Sequence, residues 1–198
     1  KLDVGRLFSG LVGSSEARTR ETIIRAEAMA PCILWIDEID KGFGGDARSD
    51  GGTSQRVLAS LLTWMAEKKS SVFVIATANA IDKLPPELLR KGRFDEIFFL
   101  DLPKSEERFT ILDLHLKKRR PNYNFHLSTI VDRTNGYSGA ELEQAVIEAM
   151  HYSFSEKREI TERDLIKAVS ELVPLSRTAK EQIDLLKQWS STGRARLA

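Results

Sequence analysis

Two short runs of consecutive apolar residues, each leading into polar side chains, dominate the first half of the chain. The first covers residues 32–36 and leads into Asp37 and Glu38, and the second covers residues 71–79 and ends in an asparagine. Continuous apolar runs of this length are typical of strands that a parallel sheet buries on both faces. A third, shorter run at residues 96–100 predicts a third strand.

Between these runs the apolar positions recur at helical spacing. One helix is predicted to begin at Ser14 or Ser15 and to end before Pro31, and another to begin at Thr53 or Ser54. The apolar stripe of the second helix consists of Val57, Leu58, Leu61, Leu62 and Met65. Strands separated by helices predict a layered α/β domain with a mostly parallel sheet.

Two connections in this half have distinctive compositions. Residues 42–52 are rich in glycine and show no periodicity, which predicts a mobile surface loop. Adjacent prolines at Pro85 and Pro86 predict the start of a short helix that runs through Leu89. A basic turn follows this helix before the third predicted strand.

The second half of the chain has a different pattern. From Pro103 onward the strand signals disappear, and the apolar positions follow helical spacing. The predicted helices cover residues 105–115, 140–154, 165–172 and 178–189. We therefore expect an α/β part at residues 1–102, a small helical bundle at residues 103–175, and a C-terminal helix and tail at residues 176–198.

Composition and charge narrow the classes of partner. The chain has 198 residues, of which 41% are hydrophobic and 30% charged, and its net charge of +1 gives no electrostatic reason to expect nucleic acid or an anionic membrane. The basic run at residues 117–120 is short, and we interpret it as the charged end of a helix. Because no apolar run approaches the roughly 20 residues that span a bilayer, we expect no membrane span.

Several reactive side chains have ordinary structural interpretations. The single cysteine, Cys32, lies within an apolar run, so we expect a small core side chain and no disulfide. The three histidines are dispersed without metal-ligand spacing. Trp64 and Trp189 fall at helical core positions and are predicted to be packing residues.

The adjacent carboxylates after the first strand are the main candidates for chemistry. Strand ends at one edge of an open α/β sheet form its usual ligand site, and a carboxylate pair there suits Mg²⁺ carried on a nucleotide. In this hypothesis Asp37 orients the hydrated metal, while Glu38 activates the water that attacks a γ-phosphate. Asn79 could hydrogen-bond that water or a phosphate oxygen. The alternatives are a solvated acidic turn and an asparagine that only forms a turn.

Two arginines in the basic turn are candidates of another kind. Arg90 and Arg93 could reach the γ-phosphate held by a neighbouring subunit and stabilise charge in the transition state. Their alternative is a pair of surface salt bridges, which would contribute little free energy.

Five segments, in this order and spacing, resemble the AAA ATPase family. They are residues 10–16 (GLVGSSE), 30–40 (APCILWIDEID), 75–79 (IATAN), 86–95 (PELLRKGRFD) and 136–142 (GYSGAEL). Within the family, the chain is most similar to the AAA proteins known from chloroplasts and cyanobacteria as a conserved open reading frame. The features shared with them are Leu7-Phe8, Trp35 and the tail at residues 194–196.

The resemblance implies a fold, a reaction and an assembly. The fold would be a P-loop NTPase-type parallel α/β sheet followed by a small all-α lid domain. The reaction would be ATP hydrolysis with Mg²⁺ at the subunit interfaces of a homo-oligomeric ring, expected to be a hexamer, which remodels a protein partner of unknown identity. We expect the cytoplasm or the chloroplast stroma as the location.

The resemblance also implies roles for individual positions. Asp37 and Glu38 match the Walker B acids, with Asp37 at the metal, and Asn79 matches the first sensor. Arg90 and Arg93 match the arginine fingers. The lid segment that contacts adenine is matched by Gly139 and Ala140, the substrate pore loop by Leu11 and Val12, and the second pore loop by residues 42–52. Leu11 departs from the aromatic residue that unfoldases usually carry at this position.

One family motif has no counterpart in the chain. The phosphate-binding Walker A loop, Gly-x-x-x-x-Gly-Lys-Ser/Thr, is not found in the sequence. In the family this loop precedes the segment that matches Lys1, so we expect a fragment whose sheet is incomplete at the N-terminus. The full-length parent would be an ATPase, whereas the fragment alone would be inactive and would bind ATP weakly.

Two other functions stay open. A nucleotide-gated scaffold, in which ATP sets an assembly state with little turnover, is favoured by Leu11 and by the missing phosphate loop. A nucleic-acid motor is disfavoured by the neutral charge.

Overall fold

The computed structural model describes residues 2–3, 14–42, 53–90 and 92–198. The chain divides into two compact units, Lys1–Ile97 and Phe98–Ala198, and each unit is described by itself. The boundaries expected at residues 102 and 175 stay predictions.

A parallel three-stranded sheet forms the centre of the first unit. Its strands are β1 (Leu2–Asp3), β2 (Cys32–Asp37) and β3 (Val72–Ala76), in the order β1-β2-β3. The register pairs Cys32 with Val72 and Ile36 with Ala76. The strands predicted from the two apolar runs are therefore confirmed, and their carboxyl ends lie side by side.

Two helices supply the hydrophobic layer against this sheet. Helix α1 (Ser14–Ala28) ends shortly before Pro31, and helix α2 (Thr53–Glu67) follows the glycine-rich segment. The predicted apolar stripe of α2 is buried, at Val57, Leu58, Leu61, Leu62 and Met65. Leu58, Leu61, Leu62 and Met65 belong to one cluster with Leu34 and Ile36 of β2. The helical periodicity therefore correctly predicts the core-facing side of α2.

The prediction that β2 is buried on both faces is wrong for the described part of the chain. Ile36 is only 1% exposed, whereas Ile33 is 63% exposed and Trp35 is 44% exposed. Successive side chains of a strand point to opposite faces, and α1 and α2 cover the face of Leu34 and Ile36. Phe73 of β3 is likewise exposed.

The short helix predicted from Pro85 to Leu89 is also wrong. After a short 3₁₀ helix at Ile81–Lys83, the chain forms successive turns. The N–H of Leu88 donates to the Pro85 carbonyl at 3.0 Å and that of Leu89 donates to the Pro86 carbonyl at 3.2 Å. These bonds span three residues, not the four of an α-helix, and the buried Leu88 side chain anchors the segment.

Helices form the core of the second unit. They are α3 (Ser105–Arg119), α4 (Ser128–Arg133), α5 (Gly139–Ser155) and α6 (Glu162–Glu171). Three of the four match predicted helices, although α3 and α6 are longer than predicted, and α4 was not predicted. Their buried side chains form one cluster that includes Leu112, Leu116, Ile130, Leu142, Val146 and Leu165. No helix in the described residues is long and apolar enough to cross a membrane.

The C-terminal residues correct two further predictions. After α7 (Leu175–Thr178) and α8 (Lys180–Trp189), strand β5 (Arg196–Leu197) pairs in parallel with β4 (Phe98–Phe99). The expectation of no strand after Pro103 is therefore wrong, because β5 lies there. The third predicted strand corresponds to β4 and lies in a separate two-stranded sheet. Backbone groups of a strand need hydrogen-bond partners, and the tail supplies them; Ala198 N–H, for example, donates to the Phe99 carbonyl at 3.1 Å.

Candidate functional site

The predicted carboxylates lie at the carboxyl edge of the sheet in the first unit. Asp37 is the last residue of β2 and Glu38 follows it directly. Because Ile36 is in register with Ala76, the next residue along β3, Thr77, lies beside the carboxylate pair. This edge is where a parallel α/β sheet usually places its ligands.

Thr77 connects the two strand ends by four hydrogen bonds. Its hydroxyl donates to Asp37 Oδ1 at 2.8 Å and accepts the N–H of Glu38 at 2.9 Å. Its own N–H donates to the Ile36 carbonyl at 3.0 Å, and its carbonyl accepts from Ile39 N–H at 2.8 Å. The orientation of the Asp37 carboxylate is therefore tied to the end of β3.

Glu38 has an unusual backbone conformation. Its φ angle is 51°, in the left-handed region that non-glycine residues rarely adopt. Its side chain forms an ion pair with Lys41, with Oε2 and Nζ 2.6 Å apart, and both side chains are substantially exposed to solvent. Exposed ion pairs contribute little free energy, so the Glu38 carboxylate is easily released from Lys41.

Asp40 links the carboxylate segment to the loop that carries Asn79. Its side chain is 5% exposed. One carboxylate oxygen accepts the Asn79 N–H at 3.3 Å and the other accepts the Ala80 N–H at 3.2 Å. The backbone of Asn79 is therefore fixed relative to β2, while the residue is exposed to solvent.

The sequence-based predictions missed both linking residues. Thr77 could have been found as a hydroxyl residue that directly follows an apolar run, and Asp40 as a carboxylate that directly follows Ile39. In both cases the partner lies about 40 positions away along the chain, and only the strand register shows that the residues meet.

The donor atoms at this edge suit a hydrated magnesium ion. Asp37 offers carboxylate oxygens, and Mg²⁺ in nucleotide sites is usually held by one or two carboxylates, phosphates and water. Among the described residues there is no group of three or more His, Cys, Asp or Glu side chains that could hold a metal without such help. The carboxylates at this edge are therefore better suited to a metal ion that is also bound by nucleotide phosphates than to one bound by protein side chains alone.

The two candidate arginines lie on the turns that follow Pro86. Arg90 is exposed, and Arg93 is half-buried with its Nε buried and without a hydrogen-bond partner in the described structure. Neither guanidinium has an ion-pair partner among the described residues, and the roles of both arginines stay predictions.

Gly139 and Ala140 begin helix α5 in the second unit. Ser138 caps this helix, with its hydroxyl accepting from Glu141 N–H at 3.4 Å and its own N–H donating to Glu141 Oε2 at 2.7 Å. A Cβ atom on Gly139 would meet Ile111 at 3.7 Å, an ordinary contact. Packing within this unit therefore does not require glycine at position 139.

The remaining candidate residues divide into two groups. Leu11 and Val12 lie outside the described residues, as does most of the loop at residues 42–52. Cys32 and Trp64 pack against the core of the first unit, as predicted. Trp189 is half-buried and belongs to neither core cluster.

Comparisons with known proteins agree with this architecture. The family described as "ATPase family associated with various cellular activities (AAA)" matches residues 1–102, and the AAA+ lid domain matches residues 124–167. The AAA domain-containing protein ycf46 of Guillardia theta is 52% identical over 201 residues, covering 100% of this chain and 40% of that protein. The protein of the same name from Pyropia yezoensis is 53% identical over 203 residues, covering 100% of this chain and 41% of its own length. The chain thus spans about 40% of the length of the curated relatives it matches.

Proposed function

The chain belongs to the AAA family of ATPases, and from this premise we propose that it supplies the catalytic carboxylates, sensor and lid of an ATPase that works in a ring. The observation that best supports the proposal is the linked edge formed by Asp37, Glu38 and Thr77. It combines a carboxylate suited to a hydrated metal ion with a second carboxylate, in a different backbone conformation, that could activate the attacking water.

In the proposed reaction the two carboxylates have separate roles. Asp37 orients the water ligands of Mg²⁺, and Glu38 accepts a proton from the attacking water once its side chain leaves Lys41. When bound with ATP, the metal neutralises phosphate charge. Asn79 positions the water or a γ-phosphate oxygen by hydrogen bonding, and Asp40 supports it by holding its backbone.

The other residues are proposed to act at the edges of the site. Arg90 and Arg93 would stabilise transition-state charge on ATP held by the next subunit through their guanidinium groups. Gly139 and Ala140 would contact adenine, because a helix start without a large side chain leaves space beside its backbone. Leu11 and Val12 would contact a substrate polypeptide.

We propose this activity for a protein in which the chain acts together with a phosphate-binding loop. The sequence contains no Gly-x-x-x-x-Gly-Lys-Ser/Thr, so the chain alone is expected to bind ATP weakly. The work of the ring would be remodelling of a protein partner, with a hexamer as the expected assembly. The resemblance to AAA proteins known from chloroplasts and cyanobacteria supports the chloroplast stroma or the cytoplasm as the location.

A nucleotide-gated scaffold is the second candidate. It is favoured by Leu11, which stands where unfoldases usually carry an aromatic side chain. In a scaffold, ATP binding would set the assembly state and Glu38 would contribute little turnover.

The decisive experiment compares Glu38→Gln with the wild type in the full-length protein. ATP turnover is measured against protein concentration, and ATP affinity is measured separately. We expect turnover to rise as the ring assembles and to fall roughly 100-fold or more in the variant, with affinity preserved, because only the proton acceptor is lost.

The matched control is Glu67→Gln, which changes an exposed carboxylate at the end of α2. Its turnover should equal that of the wild type. Assembly and ATP binding without turnover in any of the three proteins would favour the scaffold instead.

A further inference from the structure

We propose that Thr77 is a positioning residue whose hydroxyl sets the geometry of both carboxylates at the sheet edge. The inference rests on the proposed function, because it assigns Thr77 a part in the same ATPase site. It differs from a purely structural role after β3, since the hydroxyl and the backbone of Thr77 make separate contacts.

The hydroxyl of Thr77 uses its only proton on Asp37. The bond to Asp37 Oδ1 is 2.8 Å long, and bonds to ionised acceptors are stronger than neutral ones. A carboxylate free to rotate would have to be oriented again at each metal-binding event. Fixing one of its oxygens defines the orientation of the whole carboxylate group, which would hold a hydrated metal ion.

The same oxygen of Thr77 also stabilises the backbone of Glu38. A non-glycine residue with φ of 51° persists only where surrounding contacts hold it. Thr77 Oγ1 accepts the N–H of Glu38 at 2.9 Å, and the Thr77 carbonyl accepts the next N–H, from Ile39, at 2.8 Å. One residue thus holds the amides on both sides of the left-handed turn.

This turn determines where the Glu38 side chain projects. If β2 continued as an extended strand, the carboxylates of Asp37 and Glu38 would point to opposite faces of the sheet. The left-handed conformation interrupts that alternation immediately after Asp37. Thr77 therefore controls the relative placement of the metal-binding carboxylate and the proton acceptor.

Two substitutions separate the hydroxyl from the rest of the side chain. Thr77→Val keeps the β-branched shape and the backbone bonds to Ile36 and Ile39 but removes the hydroxyl. Thr77→Ser keeps the hydroxyl and removes the methyl group. Thr22→Val is the matched control, because it removes a hydroxyl that bonds only the Arg18 carbonyl within α1, at 2.8 Å.

The first readout is hydrogen exchange of the Glu38 amide, followed by nuclear magnetic resonance without any nucleotide. We expect exchange to become about 10-fold or more faster in Thr77→Val, and to stay near the wild-type rate in Thr77→Ser and Thr22→Val. Unchanged protection in Thr77→Val would overturn the inference.

The second readout is ATP hydrolysis by the full-length protein. We expect kcat to fall about 10-fold or more in Thr77→Val with KM changed less than about 3-fold, and Thr77→Ser to recover most of the loss. A rise in KM with unchanged kcat, or no recovery in Thr77→Ser, would contradict a positioning role.

The two readouts distinguish this inference from the proposed function. If the wild type does not hydrolyse ATP while Thr77→Val still loses protection at Glu38, the proposed ATPase fails and the placement of the carboxylates by Thr77 stands. If Glu38→Gln abolishes turnover but Thr77→Val affects neither readout, the ATPase stands and Thr77 is not its positioning residue.

Discussion

Gly136 and Gly139 lie three positions apart but meet different steric demands. Gly136 has φ of 81°, and a Cβ atom there would collide with the side chain of Ser176. The φ angle of Gly139 is not in the left-handed region, and the nearest neighbour of an added Cβ atom would be the Ile111 side chain at 3.7 Å. A glycine near a proposed ligand is informative only when packing does not already require it, so Gly139 is the better probe of function.

We predict opposite outcomes for alanine at the two positions. Gly136→Ala should lower the free energy of unfolding by about 1–3 kcal/mol, because it combines left-handed strain with a steric clash. Gly139→Ala should change that free energy by less than about 1 kcal/mol. Urea unfolding of both variants tests this prediction. Equal losses in the free energy of unfolding would contradict it and would show that the surroundings of Ser176 relax.

At the level of single residues, the sequence identified Asp37 and Glu38 as candidates but did not identify the residues that form hydrogen bonds with them. The carboxylates follow an apolar run, which is a local pattern. Thr77 and Asp40 act through bonds to residues about 40 positions away, and their local sequence carries no trace of these partners. Local patterns identify charged candidates, whereas the register of the sheet identifies the groups that orient them.

At the level of elements, the start of α6 shows how a helix can depend on one charge network. Asp164 is buried and accepts from both the hydroxyl and the N–H of Thr161, each at 2.8 Å. Arg158 donates to both carboxylate oxygens of Asp164 at 2.6 Å. Arg158, which completes this network, precedes the helix and was not identified from the sequence.

The acid stability of the second unit should depend on this network. The Arg158 hydrogen bonds, more than those of Thr161, lower the pKa of Asp164 from 3.8 to about 2 despite its burial. A carboxyl group whose pKa is lower in the folded chain stabilises the fold at pH values above its pKa in the unfolded chain. Ionised Asp164 should therefore contribute about 2 kcal/mol to the free energy of unfolding above pH 4, and this contribution should be lost as the pH falls toward 2.

Urea unfolding at several pH values measures this effect in Asp164→Asn. The variant should be less stable at neutral pH and lose less stability than the wild type between pH 4 and 2. Asp132→Asn, which changes an exposed carboxylate in α4, should retain the wild-type profile.

Strands were harder to predict than helices, for a physical reason. The helical stripe of α2 identifies its own buried face. A run such as residues 32–36 shows that a strand is apolar, but whether Ile33 and Trp35 are covered depends on segments elsewhere. The pairing of β4 with β5 likewise joins residues nearly a hundred positions apart.

At the level of the whole molecule, the residues that the structure describes form two hydrophobic cores, one in each unit. The tyrosines are unequally distributed between the two units. All three tyrosines, Tyr123, Tyr137 and Tyr152, lie in the second unit. Tyrosine ionisation therefore reports on the second unit alone.

We predict that these tyrosines resist ionisation in the folded chain. Burial, together with a hydrogen bond to Asp113, raises the pKa of Tyr123 to about 12, and a hydrogen bond to Glu171 raises that of Tyr152 to about 12. Burial also raises the pKa of Tyr137. Ultraviolet titration should therefore show little phenolate at pH 10, where tyrosine in an unfolded chain is half ionised.

The sign of the linked stability follows from the raised pKa values. The folded chain favours the protonated phenols. Their contribution to the free energy of unfolding is therefore complete below pH 10 and is lost as the pH rises toward 12. Half-ionisation at pH 10 in the folded chain would contradict the prediction, and the same titration in urea provides the unfolded reference.

The open face of the sheet gives the proposed site an optical signal of its own. The indole Nε1 of Trp35 donates to Asp37 Oδ1 at 3.4 Å, and the ring is partly in contact with solvent. Indole emission is sensitive to nearby charge, and neutralisation of the Asp37 carboxylate would alter the field at this ring. With Trp64 and Trp189 replaced by phenylalanine, the intrinsic fluorescence of Trp35 could therefore follow occupancy of the site without any attached label.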